Sequence, residues 1–306
     1  MRVATKPTLG DWIAASRLKF LPQGVMPVLI GAALASTQAY FHWGYFVLAF
    51  IAAACVQVGL TMLNDALDYS YGTDKLKLSE KNPYSGGSGV FSEERIRPFD
   101  SIKVVIGLYT LAFIIAIFFT IVVGWGVMLL GVLGAAISII YSVRPFRLAY
   151  RGWGELAMLI GYGPIITLFA YYVQTGSFGW GAFWVGIIPG FLMFTMILIN
   201  EIPDAKEDAA AQKKNLCYRL GIINTKNLYI LCLGLVFILV ALLVVVGILP
   251  NFAWLVFLGL PLAVVAAYYA HKYYKDPVRL SLSNQYMVWL YSATTATVAL
   301  AILLGG

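Results

Sequence analysis

Residues 45–74 read YFVLAFIAAACVQVGLTMLNDALDYSYGTD. An apolar run fills the first two-thirds, and it ends in Asn64, Asp65, Asp68 and Asp74. A hydrocarbon core is crossed by about 20 apolar residues in a helix. Residues 45–67 therefore predict a membrane-spanning helix that carries carboxylates to its own end. Working outward, comparable runs lie at about 20–41, 101–122, 125–142, 152–173, 180–200, 225–247, 251–271 and 284–304, about nine in all with the first. Composition agrees, with 61% hydrophobic residues, 11% charged residues and a mean hydropathy of +0.83. A soluble domain carries about 25% charged residues. The expected fold class is all-α, a polytopic membrane protein with nine transmembrane helices.

The charges test that count. With nine spans, all 21 Lys and Arg fall on one side of the membrane. The connections near 41–44, 124, 174–179 and 249–251 carry none. The positive-inside rule then predicts an integral membrane protein, of the cell membrane, with its N-terminus cytoplasmic and its C-terminus outside. The net charge of +7 is explained by this bias and implies no nucleic-acid partner. Three cysteines without paired spacing predict neither disulfide nor zinc site. His42 and His271, near opposite ends of apolar runs, read as interfacial side chains rather than ligands. No basic segment with a short apolar region and cleavage site opens the chain, so the first span is expected to be retained.

All 14 Asp and Glu also fall on the Lys- and Arg-bearing side, which the positive-inside rule does not require. Many sit in two long connections, about 68–100 and about 201–224. Loops beyond roughly 12–15 residues are usually functional or disordered. The second span ends in Asn64-Asp65-Ala66-Leu67-Asp68, and the sixth in Asn200-Glu201-Ile202-Pro203-Asp204 with Asp208 four residues on. Residues four apart share a helix face, so Asn64 stacks with Asp68, and Asn200 with Asp204 and Asp208 if that helix continues. Ionisable groups at the ends of apolar helices mark function. Hard oxygen donors suit magnesium, which takes one or two carboxylates and completes its shell with water and phosphate. Two such clusters face to face would hold two magnesium ions across a diphosphate. Lys75, Lys81, Arg144, Arg147, Lys213, Lys214 and Arg219 lie in the adjoining loops. Each alone reads as a positive-inside anchor; together they predict a diphosphate pocket. Gly86–Gly89 reads either as a flexible turn or as a nest of amides for phosphate.

These motifs, with Tyr141-Ser142-Val143-Arg144-Pro145 and Gly152-Trp153-Gly154-Glu155, resemble the UbiA superfamily of intramembrane prenyltransferases over nearly the whole chain. The resemblance implies one prenyltransferase domain over 1–306, with helices around a central cavity and a cytoplasmic cap formed by the two long loops. It implies that Asn64, Asp68, Asp74, Asn200, Asp204 and Asp208 bind magnesium and drive catalysis. It also implies that Lys75, Lys81, Tyr141, Arg144, Arg147, Lys214 and Arg219 bind substrate. Asp68-Tyr69-x-x-Gly72-x-Asp74, Gly86–Val90 and Lys214-Asn215-Leu216 are similar to the menaquinone-type branch. Gly72 stands where the superfamily commonly has a third acid, and Ala209 where many relatives carry Arg.

The implied donor is a polyprenyl diphosphate, geranylgeranyl or longer, and the implied acceptor a lipid-soluble aromatic of the naphthoate type, with membrane lipid around the protein. The allylic carbon–oxygen bond breaks, an electron-rich ring carbon attacks the cation, and a proton or carbon dioxide leaves. Other acceptors in view are geranylgeranylglyceryl phosphate and 4-hydroxybenzoate. A transporter would place charges near helix midpoints, and a non-catalytic lipid-binding protein gives no reason for two Asn-Asp clusters.

Overall fold

The computed structural model describes residues 6–38, 41–72 and 82–305. Among the described residues there is no β-strand. Eight helical stretches are long and apolar enough to cross a membrane, namely Leu9–Ser36, Trp43–Tyr71, Pro98–Val122, Gly154–Thr175, Trp180–Glu201, Ile222–Val245, Asn251–Tyr273 and Pro277–Gly305. A further apolar helix, Gly126–Ser142, has 17 residues.

The first stretch begins earlier than hydropathy alone suggests. Helix α1 (Leu9–Ser16) is closed by a capping box in which Thr8 and Asp11 satisfy each other's backbone amides. Arg17, at φ 45°, turns the chain left-handed and ends α1. A short 3-10 turn, Leu18–Phe20, leads into α2 (Leu21–Ser36), which has Pro22 in its first turn. Helix α3 (Trp43–Tyr71) carries the first motif at its C-terminal end. It is followed by α4 (Pro98–Val122), α5 (Gly126–Ser142) and α6 (Gly154–Ile160). A π turn at Gly161–Ile165, containing Pro164, joins α6 to α7 (Ile166–Thr175). Helix α8 (Trp180–Glu201) delivers the second motif.

The second motif does not lie on one unbroken helix. Pro203 has no amide hydrogen to give to Ile199, so α8 stops at Glu201 and a turn follows. The chain becomes helical again as α9 (Ala205–Ala210), where the Asp208 amide donates to the Asp204 carbonyl at 2.8 Å. The 201–224 connection is thus largely structured, because α10 (Leu216–Leu220) follows with Asn215 as its N-cap. The last helices are α11 (Ile222–Val245), α12 (Leu260–Tyr273, preceded by a 3-10 run from Asn251) and α13 (Pro277–Gly305).

Two apolar cores share α2 and α7. One gathers α8, α11, α12 and α13 around residues such as Leu192, Val236 and Met287. The other gathers α3, α4 and α5 around Ala52, Phe119 and Leu130. The outward faces are equally apolar, with Ile121, Val245 and Leu258 each more than three-quarters exposed. Such a surface is unstable in water and matched by lipid, so this is an integral membrane protein. Trp43, Trp125 and Trp180 are exposed at or beside the starts of α3, α5 and α8. For α3 and α8 that is the end opposite the motifs, where an aromatic belt belongs.

Helix α8 meets the π turn backbone to backbone. A Cβ on Gly190 would sit 2.2 Å from the Leu159 carbonyl oxygen, and one on Gly163 would sit 2.4 Å from that of Gly186. Gly186 and Gly190 form a small-xxx-small face, which lets helix backbones approach in lipid. This contact brings the motif-bearing helix beside the polar cavity described below. Gly190→Ala should therefore destabilise the detergent-solubilised protein by about 2 kcal/mol, read as a lower thermal midpoint; an unchanged midpoint contradicts the close crossing.

Candidate active site at the ends of two motif helices

A cavity of about 410 Å³ opens between the C-terminal ends of α3 and α8. Residues 82–93 and α9 border it, and Asn64, Asp68, Asn200, Asp204 and Asp208 all line it. Their separation on α3 is the i, i+4 step that puts Asn64 and Asp68 on one face. On the other side, the turn at Pro203 and the restart in α9 bring Asp204 and Asp208 round to the same space.

Lys213 joins the two clusters. Its ammonium lies 3.1 Å from Asp68 Oδ2 and 3.7 Å from Asp208 Oδ1. It reaches them because the chain turns back after α9, the Lys213 amide donating to the Asp208 carbonyl at 2.8 Å. Asp68 also accepts from the Tyr150 hydroxyl at 2.6 Å, and Asp208 from Asn215 Nδ2 at 2.7 Å. Asn64 spends its amide nitrogen on Ser142 Oγ at 3.1 Å, which leaves its carbonyl oxygen for the cavity. Asn200 Oδ1 accepts from Asn284 Nδ2 at 2.7 Å and retains a second lone pair. Asn284 in turn accepts from Asn82 at 3.2 Å, so a chain of amides ties α13, the 82–93 segment and the second motif together.

The glycine-rich segment is a strap rather than a loose turn. The Gly86 amide donates to Asp204 Oδ2 at 2.8 Å and the Ser88 amide to Asp65 Oδ2 at 2.7 Å. Asp65 also pairs with Arg17 at 3.1 Å, and Arg17 donates to the Tyr84 carbonyl at 3.2 Å. These two amides are thus engaged by carboxylates of, or next to, both motifs.

Electrostatics follow from this crowding. Burial pushes Asp204 up to about 6 and Asp208 up to about 7, with Lys213 opposing the rise in both. Burial disfavours the Lys213 ammonium, but Asp208 and Asp68 outweigh it and hold its pKa well above the usual lysine range. The acidic residues lining the cavity outnumber its two basic ones, Arg17 and Lys213, which leaves a site that favours a further cation.

Of the remaining residues singled out by the sequence, Tyr141 lines the cavity. Asp74, Lys75 and Lys81 lie outside the described residues. Arg144, Arg147, Lys214 and Arg219 do not line it. Arg147 stacks on Tyr150 at 3.5 Å and on Tyr71 at 4.0 Å, and Arg144 on Tyr71 at 5.0 Å. Lys214 is exposed, its backbone amide donating to the Tyr150 carbonyl. Arg219 bonds the Lys214 and Arg151 carbonyls at 3.2 and 2.7 Å. These four brace Tyr150 and the neighbouring loops. Lys213, one position before the lysine favoured by the motif resemblance, supplies the cation inside the cavity. Asn284 and Tyr150 carried no sequence signal beyond one polar residue among several at the start of the last apolar run and a tyrosine in a basic loop.

The donors are oxygen only, which suits a hard divalent cation. Among the described residues no three His, Cys, Asp or Glu converge as a preformed metal cage. A cation held by one or two carboxylates and completed by substrate phosphate needs none, and Lys213 occupies the space between Asp68 and Asp208 where positive charge is wanted.

A second, apolar cavity of about 170 Å³ adjoins the first, sharing Gln57, Leu60, Met158 and Tyr162 with it. It runs among α3, α4, α5 and the π turn, lined by small residues such as Ala112, Gly131 and Gly134. A charged pocket beside an apolar one suits a ligand with an anionic head and a hydrocarbon tail.

The model of the UbiA prenyltransferase family matches residues 24–292. The chain belongs to that family. This UbiA chain is 25% identical over 283 residues to the 2-carboxy-1,4-naphthoquinone phytyltransferase of Synechocystis sp., covering 88% of this chain and 85% of the relative. It is 27% identical over 271 residues to the 1,4-dihydroxy-2-naphthoate octaprenyltransferase of Escherichia coli, covering 88% and 87%. In fold it is similar to a UbiA homolog from Aeropyrum pernix (TM-score 0.71, 14% identity, 93% of this chain and 98% of that one). It is similar also to one from Archaeoglobus fulgidus solved with GPP and Mg2+ (TM-score 0.64, 14% identity, 96% and 99%).

The raised carboxylates give a pH test. Without a divalent cation, Asp204 and Asp208 together take up protons as pH falls through about 7 to about 6, because burial raises both. A cation must displace those protons, so affinity falls with pH. Manganese binding followed by electron paramagnetic resonance should weaken by about tenfold or more between pH 8 and pH 6; a flat profile contradicts the assignment of both carboxylates to the site.

Proposed function

We propose that this UbiA-family prenyltransferase transfers a polyprenyl group, geranylgeranyl or longer, from its diphosphate to 1,4-dihydroxy-2-naphthoate or a near relative in quinone biosynthesis. The observation that carries the proposal is the convergence of Asp68, Asp204, Asp208 and Lys213 on one cavity that adjoins an apolar one. The named relatives, both acting on naphthoate-derived rings, support the acceptor class.

Asn64, Asp68, Asn200, Asp204 and Asp208, with Asp74 from beyond the described residues, would hold magnesium, two ions in this reading. Bound magnesium supplies Lewis-acid neutralisation of charge on the departing diphosphate. Lys213, beside Asp68, would add a positive charge toward the same diphosphate, and Arg17 keeps Asp65 paired. Tyr150 orients Asp68 through its hydroxyl. The apolar walls of the second cavity would keep water from an allylic cation, which water would quench. When the allylic carbon–oxygen bond breaks, the ring carbon of the acceptor forms the new carbon–carbon bond, and a proton or carbon dioxide leaves the ring.

We read Gly126–Ser142 as a ninth crossing and 1–306 as one domain, with the segments around 68–100 and 201–224 capping the cavity on the cytoplasmic face of the cell membrane. The Lys and Arg distribution supports an N-terminus inside and a C-terminus outside. A reporter fused after Gly306 should be active only outside the cytoplasm; cytoplasmic activity would reverse the topology.

Asp68→Ala and Asp204→Ala should each lower turnover by about 100-fold or more while the protein remains extractable and folded. Near-normal magnesium-dependent turnover in either variant contradicts the two-cluster site. In a competition with one prenyl diphosphate, 1,4-dihydroxy-2-naphthoate should be prenylated ahead of 4-hydroxybenzoate and geranylgeranylglyceryl phosphate; dominant labelling of the glycerol lipid would overturn the acceptor assignment.

A further inference from the structure

The deep end of the polar cavity differs from its charged mouth. Phe20, Leu60, Met193, Met196 and Ile197 make it apolar. Into this lining comes one carboxamide from α2, that of Gln23, which is fully buried. Its Nε2 lies 3.6 Å from the Met196 sulfur, a weak acceptor. Its Oε1 is buried and has no hydrogen-bond partner. The residue is not held loosely, because the Tyr291 hydroxyl donates to its backbone carbonyl at 2.9 Å.

The neighbouring amide behaves differently. Gln57 donates to the Phe20 carbonyl at 2.8 Å and accepts from the Tyr162 hydroxyl, so both ends of its carboxamide are satisfied. Gly24, next to Gln23, is where α2 presses on α3, since a Cβ there would lie 2.5 Å from Gln57 Cβ. The Gln23 carboxamide is therefore fixed beside the cavity with an acceptor to spare. A buried carbonyl oxygen without a donor is costly, and a ligand hydroxyl relieves that cost.

We infer that Gln23 Oε1 is a specificity determinant for the acceptor, taking a hydrogen bond from a ring hydroxyl. This rests on the reading of the chain as a prenyltransferase of hydroxylated aromatic rings. The chemistry selects among ligand groups. A carbonyl oxygen refuses an ionised carboxylate or a diphosphate, and a prenyl tail has nothing to donate. A phenolic hydroxyl can donate, and in doing so it raises electron density on the ring carbons beside it, which favours their attack on the allylic carbon. The apolar walls suit the flat faces of the ring, and the charged mouth lies beyond at Asp68 and Asp204.

The test compares wild type with Gln23→Met, which keeps length and apolar packing against Met196 but removes the oxygen. The acceptors are 1,4-dihydroxy-2-naphthoate and its two monohydroxy analogues, each lacking one ring hydroxyl. KM is measured for acceptor and for geranylgeranyl diphosphate, and folding by thermal midpoint. The acceptor KM of Gln23→Met should rise about tenfold or more for the dihydroxy compound, with the KM for diphosphate unchanged. With the analogue lacking the hydroxyl that Gln23 reads, variant and wild type should match, as a coupled pair requires. An unchanged acceptor KM, or an equal loss with all three acceptors, overturns the inference while leaving the proposed reaction standing. Should the variant fold poorly, the wild-type comparison decides, because equal KM values for all three acceptors also overturn it. Turnover of none of the three acceptors by the wild type overturns both the inference and the reading beneath it.

Discussion

Lys213 between Asp68 and Asp208 is the interaction on which the rest of the site depends. Charges buried at the ends of apolar helices are costly unless paired. The ammonium offsets part of the repulsion among Asp68, Asp204 and Asp208, and it does so across the two halves of the site. Its reach is set by the short helix Ala205–Ala210 and the turn that follows, so the break at Pro203 is part of the same arrangement. Were the second motif one straight helix, Lys213 would be carried away from Asp68.

The apolar bulk of the chain serves that geometry. Lipid gives helices no hydrophobic reason to associate, so close packing and interhelical hydrogen bonds hold the bundle. The Gly186–Gly190 face sets the position of the second motif helix, and the Asn82–Asn284–Asn200 chain fixes its end to the last helix. The strap from Gly86 to Ser88 then ties the roof to both motifs through Asp204 and Asp65. Polar contacts are concentrated where the cavity is, and apolar packing elsewhere.

Much of this is legible in the sequence, for identifiable reasons. Apolar runs mark helices because lipid demands length and hydrophobicity together, and the ends of α3 and α8 fall within a few residues of their runs. The i, i+4 spacing of Asn64 and Asp68 needs only helical geometry. What escapes is tertiary. Hydropathy misses α1 because its start is a capping box at Thr8 and Asp11, not an apolar boundary. Charge alone does not separate Lys213 from Lys214, since which one enters the cavity depends on the turn after α9. Arg144, Arg147 and Arg219, each an anchor by itself and a diphosphate pocket only as a group, here meet tyrosine rings and carbonyl oxygens from other loops. Gln23 is a single polar residue in an apolar run and Asn284 one of several polar residues at the start of the last one, and only folding brings Gln23 to the cavity and Asn284 to Asn200.

The central claim is that the two motif ends act as one site on one diphosphate. A double-mutant cycle tests it most directly, using Asp68→Asn, Asp208→Asn and the pair, with binding of a non-reacting geranylgeranyl thiodiphosphate measured calorimetrically in the presence of magnesium. Strong non-additivity is expected, the pair losing little more affinity than either single variant, because both carboxylates serve the same bound group. Fully additive losses would mean two independent sites and would contradict it.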